Sequence, residues 1–196
     1  MNEDTLRERG AVGLDSRSVY RGKILEVRED RVLFPSGSEA VLEVVRHGGA
    51  AAVLPVYVRA ECPTGTGPDV LLLRQYRHAA GCTLWEAPAG KLDAGEEPEA
   101  CAVRELEEEA GVRAERVQRL TTLYTTPGFS DERIHLFVAT GLAEGRRSHE
   151  PHELIECHRL SLERAVSLVR SGEIVDGKTV CLLLLAASLP ELQADP

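Results

Sequence analysis

The sequence predicts an α+β fold: a mixed β-sheet held between helices as an α-β-α sandwich, preceded by a small N-terminal β-sheet domain. Three observations predict it. Strand-like runs are interspersed with few helical ones over most of the chain. Residues 18–46 are strand-rich, yet so short a piece buries too little apolar area to stand alone. Residues 97–110 carry helical rather than strand periodicity.

Taken in order, residues 1–17 read as a flexible lead. The first ten are polar and charged, with no apolar core of signal-peptide length. The small β domain covers 18–46. Within it 20–27 and 31–34 are candidate strands, Pro35-Ser36-Gly37-Ser38 is a turn signal, and 39–46 resumes a strand. His47-Gly48-Gly49 breaks the pattern, and the main domain covers 47–196. It opens with two strongly apolar runs, 50–58 and 69–75, parted by a turn or short loop at 62–68. The helix 97–110 has Pro98 in its first turn and Gly111 where a C-terminal cap is expected. Residues 116–124, 134–140 and 154–160 read as strands. Ser161 caps a helix that runs to Arg170, with Glu163 and Arg164 in its first turn. A last helix, 176–188, contains the longest apolar run, 180–187, which is too short to span a bilayer.

Composition narrows the function. Of 196 residues 43% are hydrophobic, enough for a sizeable core, so global disorder is excluded. The net charge is -9, from 23 basic and 32 acidic residues, and no basic run interrupts it. Such a surface repels nucleic-acid polymers and anionic membranes. A phosphorylated small molecule remains a fitting partner if cations neutralise both sides. The five cysteines, Cys62, Cys82, Cys101, Cys157 and Cys181, are odd in number and scattered. They read as reduced thiols of a cytoplasmic protein, not as a disulfide framework or a zinc knuckle.

The helix 97–110 carries the chemistry. Glu105, Glu108 and Glu109 are spaced by three and four residues, which puts their carboxylates on one helical face. Like charges so close repel by a few tenths of a kcal/mol per pair, roughly, and a divalent cation turns that cost into binding. Hard oxygen donors suit Mg²⁺, with Mn²⁺ as the alternative. Val103, Leu106 and Ala110 form an apolar stripe that docks the helix, leaving Glu105 and Glu109 facing solvent. Gly90 and Gly95 permit a tight turn and close backbone approach ahead of the helix. Arg104 can orient a glutamate through a charge-assisted hydrogen bond.

The string Gly90-Lys91-Leu92-Asp93-Ala94-Gly95-Glu96, seven residues, then Arg104-Glu105-Leu106-Glu107-Glu108-Glu109-Ala110-Gly111-Val112 resembles the Nudix box at every defined position. Seven strict positions at average residue usage match by chance on the order of 10⁻⁷ of the time in a chain this long, a figure that Glu-richness raises without overturning. The resemblance implies a Nudix fold. It also implies that Glu105 and Glu109 are the main metal ligands, with Glu108 close behind and the backbone carbonyl of Ala89 completing the set.

The likeness extends over residues 18–188 or so. Trp85-Glu86-Ala87-Pro88-Ala89-Gly90 and Arg74-Gln75-Tyr76-Arg77 are similar to the ADP-ribose pyrophosphatase branch of the superfamily. So is Pro127, fifteen residues after Val112, within Thr126-Pro127-Gly128-Phe129-Ser130-Asp131-Glu132. This resemblance implies substrate contacts from Arg77, a forked donor for the diphosphate, and from Arg74, Glu86 and Gly128. Tyr20-Arg21-Gly22-Lys23-Ile24-Leu25 resembles a domain that the family exchanges between two subunits. It implies a homodimer in which Ile24 packs on the adenine. The general base implied is a glutamate in the acidic stretch 149–156, Glu153 first and Glu150 next; Pro151 and two histidines depart from the family pattern there. His47, His135 and His158 show no ligand spacing and read as structural.

The implied activity is metal-dependent hydrolysis of ADP-ribose to AMP and ribose 5-phosphate. The box handles only the shared diphosphate and metal, so GDP-mannose, another nucleotide sugar or a dinucleoside polyphosphate are alternative substrates. A non-catalytic nucleotide-binding regulator is the alternative from another class; a degenerate box would signal it, and this box is intact.

Overall fold

The computed structural model describes residues 10–58, 62, 67–148 and 154–193. The chain forms two compact units, residues 1–48 with 124–133 and residues 49–123 with 134–196.

The first unit is an antiparallel three-stranded sheet of order β1-β2-β3, with β1 at Val12–Arg21, β2 at Leu25–Leu33 and β3 at Glu39–His47. β1 starts inside the stretch read as a flexible lead. Cross-strand polar pairs account for this: Arg17 bonds Glu29 at 2.5 Å, and Arg28 donates to the Ser16 hydroxyl at 2.7 Å. The strand expected over 20–27 is split by a turn, where the Gly22 N–H donates to the Leu25 carbonyl at 2.9 Å. A β-carbon on Gly22 would come within 3.0 Å of the ring of Tyr20, an exposed side chain. The Pro35–Ser38 turn lies where the sequence placed it.

The segment 124–133 joins this sheet. Val45 donates to the Phe129 carbonyl at 2.7 Å and its carbonyl accepts the Asp131 N–H at 3.1 Å. The Asp131 carboxylate takes the His47 N–H at 2.9 Å and the Arg46 guanidinium at 3.1 Å. No described residue of 10–48 or 124–133 is buried. Val19, Tyr20, Ile24 and Val41 are each more than half exposed.

The second unit is a seven-stranded mixed sheet. Its main path is β10-β5-β4-β9-β8, from Ile155–Ser161, Asp69–Arg77, Ala50–Tyr57, Arg133–Glu144 and Val112–Tyr124. β4 and β9 run parallel, while β5 is antiparallel to β4 and β10. Two short strands missed by the sequence reading, β6 (Cys82–Glu86) and β7 (Ala89–Lys91), pair with β5 and β4. Five and three residues are too few for an alternation to show.

Period-two alternation sorts the core onto two faces. Ala52, Leu54, Val56, Val70, Leu72, Leu136 and Val138 pack with helices α2 (Leu162–Arg170) and α3 (Gly177–Ala186), alongside the short α4 (Pro190–Gln193). Ala51, Val53, Leu71, Leu73, Phe137 and Ala139 pack with α1 (Pro98–Ala110). This is the sandwich that the sequence predicted. Pro98 opens α1, and Gly111 ends it at φ 69° with its N–H on the Glu107 carbonyl. Ser161 caps α2 through the Arg164 N–H. Asp176, expected inside the last helix, caps α3 through the Thr179 N–H.

Candidate active site

Helix α1 docks through Cys101, Ala102, Leu106 and Ala110, and Val103, expected in that stripe, is 47% exposed. Ala102, Leu106 and Ala110 succeed each other at four-residue spacing, and Val103 is turned about 100° from Ala102. The expectation that Glu105 and Glu109 face solvent is also corrected. Glu109 is only 6% exposed, and the Glu105 side chain is largely covered.

Strand β7 provides the cover. The Ala89 N–H donates to the Glu109 carboxylate at 2.9 Å. One residue on, a β-carbon built on Gly90 would stand 1.7 Å from Oε1 of Glu105. Only glycine leaves that space for the carboxylate. β7 is held at this distance by its pairing to β4, where Ala52 faces Ala89 and Ala51 faces Gly90.

Arg104 ties the acidic face together. Its guanidinium forks onto Glu96 with two contacts of 3.0 Å, reaches Glu105 at 2.5 Å and Glu108 at 3.1 Å, and donates to the Lys91 carbonyl at 3.2 Å. This guanidinium, with the Asp93 N–H, holds the Glu96 carboxyl at about 2, and the carboxylates in turn raise Arg104 above its ordinary range. Cys101 lies beneath, wholly buried, and burial pushes its thiol up to about 12. All five cysteines are free thiols, as the sequence suggested.

Among the described residues no three His, Cys, Asp or Glu side chains stand gathered as a cation cage. The fit to a divalent cation rests on two other features. Three hard oxygen donors share one helix face, and the bare Cα of Gly90 lets the Glu105 carboxylate lie against β7, the strand that carries the Ala89 carbonyl. Glu105, Glu108, Glu109 and the Ala89 carbonyl would hold the ion.

A second charged group borders the first. Glu86 is 1% exposed and takes the Arg77 guanidinium on both oxygens, at 2.7 and 2.8 Å. Lys178 adds a third contact at 2.5 Å. Burial pushes the Glu86 carboxyl up, but Arg77 and Lys178 outweigh it and hold it below its ordinary range. The Arg77 guanidinium is raised, first by Glu86 and to a smaller degree by the charges of Glu109 and Asp176. Arg77 therefore stands within the field of the carboxylate helix.

Arg74 takes the other face of the sheet. Its guanidinium lies 5.0 Å over the Trp85 ring, and Trp85 meets His158 edge-on at 5.0 Å. These side chains line a groove of about 620 Å³ with Tyr76, Thr83 and Glu156. Ile24 and Gly128 belong to the first unit, where both are exposed. Glu150 and Glu153 lie outside the described residues. Sequence reasoning missed Lys178 and Thr179 and gave Asp176 no site role; Asp176-x-x-Thr179 is a helix-start signature that points to their shared position. No helix among the described residues is long and apolar enough to cross a membrane.

The NUDIX domain profile matches residues 50–183, and that of the nucleoside diphosphate sugar hydrolase N-terminal domain matches residues 14–45. The chain is 38% identical over 178 residues to the ADP-ribose pyrophosphatase of Bacillus subtilis (strain 168), covering 90% of this chain and 92% of that one. It is 38% identical over 156 residues to a GDP-mannose pyrophosphatase of Salmonella paratyphi B (strain ATCC BAA-1250 / SPB7), covering 72% and 78%. A crystal structure of an ADP compounds hydrolase shares the fold at a TM-score of 0.76 and 22% identity, over 90% of this chain and 92% of that one.

Proposed function

The chain belongs to the NUDIX family, and from that premise we propose that it hydrolyses ADP-ribose with water to AMP and ribose 5-phosphate. The observation that carries this reading is the intact carboxylate helix packed under Gly90, on a chain alike over nine tenths of its length to an ADP-ribose pyrophosphatase. Hydrolases of this family depend on a divalent metal; here we take it to be Mg²⁺, with Mn²⁺ as the alternative.

When bound, a divalent cation would supply charge neutralisation at the diphosphate oxygens and a lowered pKa for a bound water. The chain's own residues do the rest. Glu105, Glu108, Glu109 and the Ala89 carbonyl would hold the ion. Arg104 keeps the carboxylates aligned. Arg77 offers a forked donor to the diphosphate, and Glu86 fixes its orientation. Arg74 keeps its place against Trp85 on the opposite face, and a contact to substrate from there would require it to leave that ring. Glu153, ahead of Glu150, takes the proton from the attacking water, a reading supported by the acidic stretch 149–156 alone.

The small sheet, with no buried residue of its own, fits a unit completed by a second copy of the chain, with Ile24 and Gly128 contributing to substrate binding in the homodimer. Free thiols and a net charge of -9 fit a cytoplasmic enzyme acting on a small molecule. GDP-mannose is the second reading, favoured by the GDP-mannose pyrophosphatase relative.

A substrate panel with Mg²⁺ and with Mn²⁺ tests the proposal, scoring release of AMP, GMP and sugar phosphate. AMP from ADP-ribose is expected. Faster release of GMP from GDP-mannose replaces the substrate and keeps the family. Turnover of neither overturns the reading.

A further inference from the structure

Glu86 and its cations are anchored by the start of α3. The Lys178 ammonium bridges Glu86 at 2.5 Å and Asp176 at 3.0 Å. Asp176 caps the helix through the Thr179 N–H at 3.1 Å and accepts the Thr179 hydroxyl at 2.6 Å. That hydroxyl accepts the Ala87 N–H at 2.8 Å. One helix terminus thus holds both the Glu86 carboxylate and the peptide that follows it, two residues before Ala89. Lys178, Glu86 and Thr179 are all buried or nearly so.

The charges decide what this arrangement does. Arg77 and Lys178 carry two positive charges, Glu86 and Asp176 two negative, so the group is neutral. Without Lys178 it would carry one net negative charge, and Glu86 would be answered by Arg77 alone. Arg77 would then be fully occupied in neutralising a buried carboxylate where an anionic diphosphate must approach.

We propose that Lys178 is a positioning residue for substrate binding: by balancing Glu86, it lets Glu86 fix Arg77 without consuming the charge that Arg77 presents to the diphosphate. The inference rests on the diphosphate reading above. It makes the Asp176-Gly177-Lys178-Thr179 turn, remote in sequence from the box, part of the binding machinery.

The two charges flanking Glu86 should act with opposite signs. Calorimetric titration with ADP-ribose in EDTA reads binding without the metal, and melting curves read the fold. Lys178→Met should weaken binding about tenfold, the order expected for one uncompensated charge a few ångström away in a partly buried site. The loss should shrink at high salt, and Lys178→Arg should restore affinity. Asp176→Asn, which keeps a capping side chain, should bind more tightly than wild type. A folded Lys178→Met protein with unchanged affinity overturns the proposal. If that variant does not fold, Asp176→Asn decides alone: tighter binding supports the charge balance, and unchanged or weaker binding overturns it. Wild-type turnover in the panel above, measured on the same preparation, separates failure of this inference from failure of the substrate reading.

Discussion

Gly90 lies against the carboxylate of Glu105 so closely that a β-carbon on the glycine would stand 1.7 Å from Oε1 and 2.1 Å from Cδ. The obstructing atoms belong to the end of a side chain, not to backbone. Gly90→Ala should therefore leave the fold standing and push Glu105 aside. Loss of turnover by about 10- to 100-fold is expected, with a raised Mg²⁺ requirement, as for other changes that misdirect a ligand. Metal titrations of initial rate, beside a melting curve, check this; wild-type rates at limiting Mg²⁺ would show that Glu105 tolerates displacement.

Glu109 makes the complementary contact, accepting the Ala89 N–H. An amide oxygen can accept the same bond, so Glu109→Gln should melt within about 4 °C of wild type. Its turnover, and that of Glu105→Gln, should fall by about two orders of magnitude or more, the loss of several kcal/mol of charge stabilisation. Either variant keeping near-normal turnover would remove that residue from the ligand set.

The Arg104–Glu96 fork has a definite pH signature. Its carboxyl is held at about 2, below an ordinary 4.5. A depressed folded pKa means that the stabilisation is complete above the unfolded value and is lost as pH falls from about 4.5 through about 2. Glu96→Gln should thus be less stable than wild type at neutral pH, and the gap should close toward pH 2. Urea melts over a pH series read it; a gap that widens on acidification would exclude the ion pair as its source.

The three-stranded sheet with no buried residue predicts assembly. Wild-type protein should sediment as a dimer. Deleting residues 1–46 should give monomers or aggregates with weakened substrate binding. A well-folded, fully active monomer after the deletion would contradict the exchange of this domain.

Glu153 and Glu150 separate by kinetics. Glu153→Gln should depress kcat more than it changes KM, and Glu150→Gln should do less. Small, equal effects from both would take this stretch out of the chemistry.

Helix α1, its Pro98 start, its Gly111 end and the shared face of Glu105, Glu108 and Glu109 were legible in the sequence. Each depends on spacings of a few residues and on the conformational limits of proline and glycine. The strongly apolar runs at β4 and β5 were legible because strands covered on both faces read as near-continuous hydrophobic stretches. Tertiary structure decided what covers those residues. Glu105 and Glu109 are closed in because β7, three residues long and too short to announce itself, pairs with β4 and lies over α1. Glu86 meets Lys178 across 92 positions of sequence, and residues 124–133 join a sheet whose strands end at His47. No local periodicity encodes such contacts, because they arise only when distant segments pack, and a buried carboxylate finds its cation in space, not along the chain.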